Sequence, residues 1–353
     1  MEQHLFQPST RVATLPSDNT LLLWKILQAL FWLIGIVLLL IMFFAPPVGV
    51  TLFWNILIPV APALLVVGTG IWRNVCPLGT TALLPDKTGL SKKIKLSSAK
   101  QTVFQLIGVI LLMLIIPLRH VIFNISGQAT ALIILFLAVP ALLMGFIYER
   151  KSGWCSGLCP VHPVEKLYGS GVAFSLPNAH CNECVKCSVP CPDSTPNNKP
   201  FSSRDAGVTK ATEILLVGGF PGYVWGWFQV PDFISADGWQ NLFLVYGYPF
   251  LGAAVSIGLF ILLTVFFERH QKRIISSLFA ATAVSFYYWF RLPVLFGFGE
   301  LDTNGMLVDL SNSLPGWSMT LLTLITTVFF FWWMVFHKKR RTSWSVRPEY
   351  AGQ

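Results

Sequence analysis

The chain has 353 residues, of which 54% are hydrophobic and only 12% are charged, and its mean hydropathy is +0.62. A soluble globular domain carries about twice that charged fraction, so the composition excludes an ordinary soluble protein and predicts a multi-pass membrane protein in contact with the lipid bilayer. The net charge of +9 does not indicate a nucleic-acid partner, because the basic residues flank the apolar runs, where they set orientation in the membrane.

Eight apolar runs are each long enough to cross the hydrocarbon core of a bilayer as a helix, which predicts an all-α fold with about eight transmembrane helices. The predicted spans are residues 21–45, 50–72, 102–118, 130–148, 213–230, 243–267, 274–297 and 317–337. The first is too long for the core of a signal peptide and is expected to be retained. The fifth contains Pro221 and several glycines, and is expected to be broken or partly re-entrant, which requires protein to cover its backbone.

Successive loops alternate between many and few basic residues. Residues 73–100 hold six Lys or Arg and residues 149–212 hold seven, whereas residues 231–242 and 298–316 hold none. The positive-inside rule then places both termini and the basic loops in the cytoplasm, with the protein in the inner (cytoplasmic) membrane.

This topology divides the chain into five segments. They are a cytoplasmic N-terminal segment (1–20), a four-helix membrane half (21–148) with a Cys-Pro loop at 73–101, a cytoplasmic segment (149–212), a second four-helix membrane half (213–337) and a basic cytoplasmic tail (338–353).

All seven cysteines fall in, or at the mouth of, predicted cytoplasmic loops. They are Cys76, Cys155, Cys159, Cys181, Cys184, Cys187 and Cys191. A reducing compartment argues against disulfides, and an odd number leaves one thiol unpaired. The candidate roles are therefore metal binding, catalysis or inert burial, and no catalytic residue is predicted.

The stretch "CNECVKCSVPCP" has the Cys-x2-Cys-x2-Cys-x3-Cys-Pro spacing of bacterial ferredoxins. In that pattern three thiolates bind one four-iron cluster, and in two-cluster ferredoxins the fourth binds the other. A structural zinc site is the alternative, but zinc ribbons separate two Cys-x2-Cys pairs by a longer insert. The run predicts a small ferredoxin-like iron–sulfur region within residues 149–212.

Two further Cys-Pro pairs, at Cys76 and Cys159, each follow a predicted helical hairpin. The first four spans therefore form a weak internal repeat, in which Trp72 stands opposite Cys155. All seven cysteines are candidate ligands of one or two [4Fe–4S] clusters. Two such clusters need eight ligands, one more than the chain has cysteines. A non-cysteine ligand, a three-iron cluster or a single cluster would each account for this difference. The candidate non-cysteine ligands are His162, His180 and Asp193.

Other polar and aromatic residues are less favourable candidates for redox sites. None of the six histidines lies in the middle of a predicted span, so heme is not expected. Snorkelling to the headgroups is favoured over a quinol site for Arg119, His120 and Arg291. An aromatic belt is favoured over quinone stacking for Trp225, Trp227 and Phe228. The stretch "FYYWFRLP" (286–293) is the best local candidate for a quinone headgroup pocket.

Through "CPLG", "CSGLCP" and "CNECVKCSVPCP", residues 20–200 resemble the membrane-bound 4Fe–4S polyferredoxins of the NapH and NosR type. The resemblance implies electron transfer between the quinol pool or cytoplasmic donors and periplasmic redox enzymes or their maturation. The chain departs from that family in three ways: Trp72 replaces a leading cysteine, one full ferredoxin run is present where two are common, and the spans after residue 212 have no counterpart.

The expected function is therefore membrane-bound iron–sulfur electron transfer, between the quinone pool or a cytoplasmic donor and a partner redox protein. Such a protein would be a subunit of a quinol-linked oxidoreductase rather than a stand-alone enzyme. Two alternatives stay open: a membrane protein that senses redox state or assists metalloenzyme assembly, and a transporter with a structural cluster.

Overall fold

The computed structural model describes residues 18–149, 151–169, 207–233, 237–267, 269–299 and 305–337. Within these ranges the secondary structure is helical, apart from an isolated bridge between Ile94 and Tyr148. Seven helices there are long and apolar enough to span a membrane. The fold is that of an all-α multi-pass membrane protein, as the composition predicts. The ferredoxin-type run, most of the N-terminal segment and the basic tail lie outside the described residues.

The first half of the fold consists of two helical hairpins, each followed by a short helix. Its helices are α1 (Asp18–Phe44), α2 (Pro46–Val50), α3 (Ile58–Val75), α4 (Pro77–Lys87), α5 (Ser98–Ile115), α6 (Gly127–Ile147) and α7 (Val161–Tyr168). One π-helical turn, Thr51–Leu57, joins α2 to α3, and another, Trp154–Leu158, precedes α7. Ser97 and Ser126 cap α5 and α6, because their hydroxyls accept hydrogen bonds from the first-turn amides.

The second half packs against the first through a shared apolar core. Its helices are α8 (Val208–Glu213), α9 (Phe220–Trp227), α10 (Asp237–Gln240), α11 (Leu242–Phe266), α12 (Arg269–Leu295) and α13 (Trp317–Phe331). The core joins Leu65 and Val109 of the first half to Tyr223, Val284 and Phe330 of the second. The two halves therefore bury a common surface.

The fifth predicted span differs from the other seven. It is interrupted by a π-helical turn at Ile214–Gly218 and by a turn at Gly219, and it is not among the seven long helices. Its second part, α9, is covered by protein: Tyr223 is fully buried and donates a hydrogen bond to the Met113 carbonyl (2.7 Å). The expectation of a broken, covered segment is confirmed, and seven rather than eight continuous spans result.

Glycines in this segment bring α9 and α11 into backbone contact. A methyl group added at Gly222 would overlap the carbonyl oxygen of Gly252, and one added at Gly252 would overlap that of Gly222. Gly222 and Gly226 lie on one face of α9, and methyl groups added at Gly218, Gly222 and Gly226 would all meet residues of α11. This is the small-residue packing that membrane helices use, and it explains the glycines that interrupt the span.

Replacing Gly252 with alanine is expected to lower the free energy of unfolding by about 1–3 kcal/mol, because α9 and α11 must separate. Gly258 provides a matched control on the same helix, since nothing lies within 4 Å of a methyl group added there. Gly258→Ala should leave stability unchanged or raise it. Both variants are heated in detergent, and the fraction of protein that stays monodisperse is compared. Equal fractions for Gly252→Ala and Gly258→Ala would contradict the close packing of α9 and α11.

Candidate functional site

Three of the predicted ligand cysteines meet at one cavity. Cys76, Cys155 and Cys159 line a space of about 290 Å³ between α1, α3, α6 and the segment that contains α7. Most of its wall is apolar, and the polar side chains of Arg73, Lys151, His162 and Glu165 also line it. Two loops separated by some eighty residues thus contribute thiols to the same space.

The two Cys-Pro junctions have the same backbone geometry. The φ and ψ angles are −57° and 120° at Cys76, and −60° and 121° at Cys159. This extended conformation is the one that a following proline favours, and one helix starts at Pro77 while another starts directly after Pro160. The internal repeat inferred from the sequence is therefore present at these junctions.

Each junction directs backbone amides at its sulfur atom. The amides of Leu78 and Gly79 hydrogen-bond to the thiol of Cys76, and those of Val161 and His162 hydrogen-bond to the thiol of Cys159. Amides at a helix start favour the thiolate form of cysteine. Hydrogen bonds to sulfur are also one of the means by which proteins tune iron–sulfur clusters.

Cys155 lies on the π-helical turn Trp154–Leu158 and faces Cys76 across Gly79. A Cβ atom at residue 79 would lie 3.6 Å from the Cys155 Sγ and 4.0 Å from the Cys76 Sγ. The absence of a side chain at Gly79 therefore keeps open the space between the two sulfurs. Trp72, the counterpart of Cys155 in the repeat, lines the same cavity.

A buried ion pair stands beside the thiols. Arg73 Nε donates to Glu165 Oε1, and the two side chains are 5% and 7% exposed. Burial by itself would raise the pKa of the Glu165 carboxyl, but the Arg73 charge and a contact with His162 hold that pKa at about 2. Lys151, also buried, donates from Nζ to the Arg73 carbonyl oxygen (2.8 Å). The cavity thus adjoins two fixed positive charges and one fixed negative charge.

His162 and Cys159 are neutral in this setting. Burial lowers the pKa of the His162 imidazole, against the opposing effect of Glu165. Burial and the neighbouring Cys76 raise the pKa of the Cys159 thiol to about 12, although the amides of Val161 and His162 oppose the rise. A metal that binds Cys159 must displace its proton, as is general for thiolate ligands.

The described residues do not form a complete metal site by themselves. No three His, Cys, Asp or Glu side chains among them are close enough to hold one metal ion. Cys181, Cys184, Cys187 and Cys191 lie outside the described residues, as do His180 and Asp193. Of the three candidate non-cysteine ligands, His162 is the one found at the cavity, 2% exposed.

Sequence reasoning missed the charged residues of the cavity. Arg73, Lys151 and Glu165 lie in predicted loops or at a span end, where charges are usually solvated. The spacing of His162 and Glu165 was the available signal, because residues three apart on a helix lie on one face. Their ring nitrogen Nδ1 and carboxylate oxygen Oε2 are 3.6 Å apart.

Two interpretations of outer-end residues are wrong. Arg119, His120 and Arg291 are 4%, 5% and 6% exposed, so they are enclosed by protein rather than extended toward headgroups. Trp227 is also buried, and its ring contacts the His120 ring at a centroid distance of 4.4 Å, so it does not belong to an aromatic belt. Trp225 is 44% exposed, as a belt residue would be. The buried side chains of Arg119, His120, Arg291 and Trp227 make contacts between helices.

Comparisons with protein-family models, with curated proteins and with solved structures find no match to this chain. Its function is therefore argued from the residues of the cavity and from the cysteine spacing.

Proposed function

We propose that this protein is a membrane-bound iron–sulfur electron-transfer protein, of the polyferredoxin type that its cysteine pattern resembles. The observation that carries the proposal is the meeting of Cys76, Cys155 and Cys159 at one cavity, although they come from two loops. Structural burial alone gives no reason for two Cys-Pro junctions, far apart in sequence, that both direct backbone amides at the sulfur atom.

The ferredoxin-type run is close enough in sequence to complete the ligand set. Helix α7 begins two residues after Cys159 and ends at Tyr168, thirteen residues before Cys181. An extended chain covers about 3.3 Å per residue, so this connection reaches up to roughly 40 Å. The length of the chain supports ligation from Cys181, Cys184 and Cys187 together with a Cys-Pro thiolate.

A four-iron cluster, when bound, supplies the transfer of single electrons. The chain's own residues do the rest. The thiolates hold the metal, the amides of Leu78, Gly79, Val161 and His162 stabilise negative charge on sulfur, and Lys151 offsets part of that charge. The apolar walls exclude water and lower the local dielectric constant, which strengthens these interactions.

The cavity also supports a quinone as the partner within the membrane. Its wall includes Trp32 and Leu39 of α1, Leu57 at the end of the π-helical turn and Leu137 of α6, and it ends at the cysteines. A mostly apolar space beside a redox site suits an isoprenoid chain. The proposed orientation in the inner membrane also allows a soluble cytoplasmic protein to exchange electrons with the cluster, as donor or as acceptor.

Metal analysis and EPR spectroscopy of protein purified anaerobically in detergent test this function. About four or eight iron atoms per chain, with matching sulfide and a cubane signal after dithionite reduction, are expected. Oxidation of the reduced protein by a soluble quinone analogue would establish electron transfer. Zinc without an EPR signal, or a cluster that exchanges no electrons, would reject electron transfer and favour a structural or assembly role.

A further inference from the structure

A second buried polar cluster lies at the other end of α3. Asn55 and Cys76 are separated by 21 residues of mainly helical chain, which correspond to about 30 Å. The cluster combines Asn55 with Arg119, on the 3-10 turn that follows α5, and with Tyr287 and Arg291 of α12. It is thus remote from the three cysteines, although the apolar end of their cavity reaches Leu57, and the proposed electron transfer does not use it.

Arg119 is held between two tryptophans. Its guanidinium carbon lies 4.2 Å from the centroid of the Trp54 ring and 5.0 Å from that of the Trp227 ring. Its Nε donates to the Asn124 Oδ1 atom (3.1 Å), which is a neutral acceptor. The aromatic faces orient the guanidinium and attract its charge, but they do not neutralise it.

Arg291 is bound by neutral groups as well. Its Nη2 donates to Asn55 Oδ1 (2.6 Å) and to the Trp54 carbonyl oxygen (3.2 Å). Its Nε has no hydrogen-bond partner in the described part of the chain, although the residue is 94% buried. Arg291 also lies close enough to Arg119 for the two charges to repel each other. Two buried cations are therefore adjacent.

One described carboxylate stands near these cations, and it has another partner. Asp232 Oδ1 lies 2.5 Å from His120 Nδ1 and accepts a hydrogen bond from Asn124 (2.9 Å). Burial would raise the pKa of the Asp232 carboxyl, but His120 and Arg119 hold it below its usual range. Even with His120 neutral, the described cluster keeps an excess positive charge, which is costly in a buried position.

The Tyr287 hydroxyl is a further group without a partner. It is buried and makes no hydrogen bond within the described residues, and both arginine charges act on it. A buried hydroxyl with nothing to bind costs free energy unless a ligand satisfies it. The Nε of Arg291 and the hydroxyl of Tyr287 are thus two unused donors in one positively charged cluster.

We propose that Arg119, Arg291 and Tyr287 bind an oxyanion, that is, a carboxylate or phosphate group. The planar fork of a guanidinium matches the two oxygens of such a group, and a hydroxyl donor adds a third contact. The anion compensates the excess charge and satisfies the unused donors. Its source is either a free small ion or the phosphate of a lipid headgroup.

Titration of the purified full chain with sodium phosphate and sodium acetate, at constant ionic strength set with chloride, tests the site. Trp54 and Trp227 report binding through their fluorescence, and the melting temperature gives a second readout. Saturable binding is expected, and Arg291→Lys should raise the dissociation constant about tenfold because the fork is lost. Tyr287→Phe should weaken binding in the same direction and still fold, since it removes a hydroxyl without a described partner.

Lys92→Gln is the control, because this exposed lysine precedes the Ile94–Tyr148 bridge and takes no part in the cluster. Equal dissociation constants for the wild type, Arg291→Lys and Tyr287→Phe would overturn the proposal. Glu300 and Asp302 follow α12 in the sequence and lie outside the described residues. Binding that appears only when both are replaced, in a Glu300→Gln/Asp302→Asn variant, would also overturn the proposal, because the chain's own carboxylates would then be the ligands. Phospholipid that copurifies with the wild type but not with Arg291→Lys would identify a headgroup as the source.

Discussion

Replacing Cys159 with serine is expected to remove about four iron atoms from each chain while the protein stays folded in the membrane. Serine is a poor ligand for iron–sulfur clusters, and the amides of Val161 and His162 would no longer meet a sulfur atom. The substitution changes one buried atom, so the helices keep their packing. Iron and sulfide counts after anaerobic purification, together with EPR of the reduced protein, measure the loss.

Ser156→Ala is the matched control for this loss. Ser156 lies on the same π-helical turn and is 1% exposed, but it does not line the cavity. Its hydroxyl has no hydrogen-bond partner among the described residues, so its removal should leave both iron content and stability in place. Unchanged iron in Cys159→Ser would mean that this cysteine holds no metal, and the proposed ligand set would have to be abandoned.

Replacing Arg73 with glutamine should lower the free energy of unfolding by about 3–5 kcal/mol, because Glu165 would be left as a buried charge without its countercharge. Glu165→Gln removes the carboxylate that pairs with Arg73 and should also destabilise. The double variant should be less destabilised than the sum of the two single variants. Thermal unfolding in detergent of all four proteins gives the coupling energy, and additive effects would contradict a direct ion pair.

The pH dependence of stability gives the same pair a second signature. In the wild type the pKa of Glu165 lies at about 2, below its ordinary value. The stabilisation is therefore complete above the ordinary pKa of about 4.3 and is lost as the pH falls toward 2. In Arg73→Gln, burial without a countercharge raises that pKa, so mild acidification should make this variant more stable relative to the wild type.

The membrane spans follow from the sequence because bilayer thickness dictates the length of an apolar helix. The interrupted fifth span was also predictable from Pro221 and its glycines. What the sequence alone does not reveal is the partner of those glycines: Gly252 lies thirty residues beyond Gly222, and only tertiary packing makes them neighbours.

The candidate site was predictable in its chemistry and not in its surroundings. The Cys-Pro pairs and their repeat predicted related loops, and the junctions have that geometry. Arg291 was interpreted by its position near a span end, where snorkelling is the usual behaviour of cations, and Arg73 was not singled out at all. Their burial depends on Glu165 and Asn55, which lie far away in sequence. Contacts between residues so far apart leave no local pattern in the sequence.

Arginine contacts hold helix α3 in place at both of its ends. Asn55, just before it, receives a hydrogen bond from Arg291, and Arg73 in its last turn pairs with Glu165. Residues between these points cover about 27 Å, close to the hydrocarbon thickness of a bilayer. In a thicker or thinner membrane, the difference between helix length and bilayer thickness must therefore be accommodated by other helices. Helix α1, whose Leu22, Ile34 and Val37 are each at least 50% exposed, is one helix expected to tilt in response.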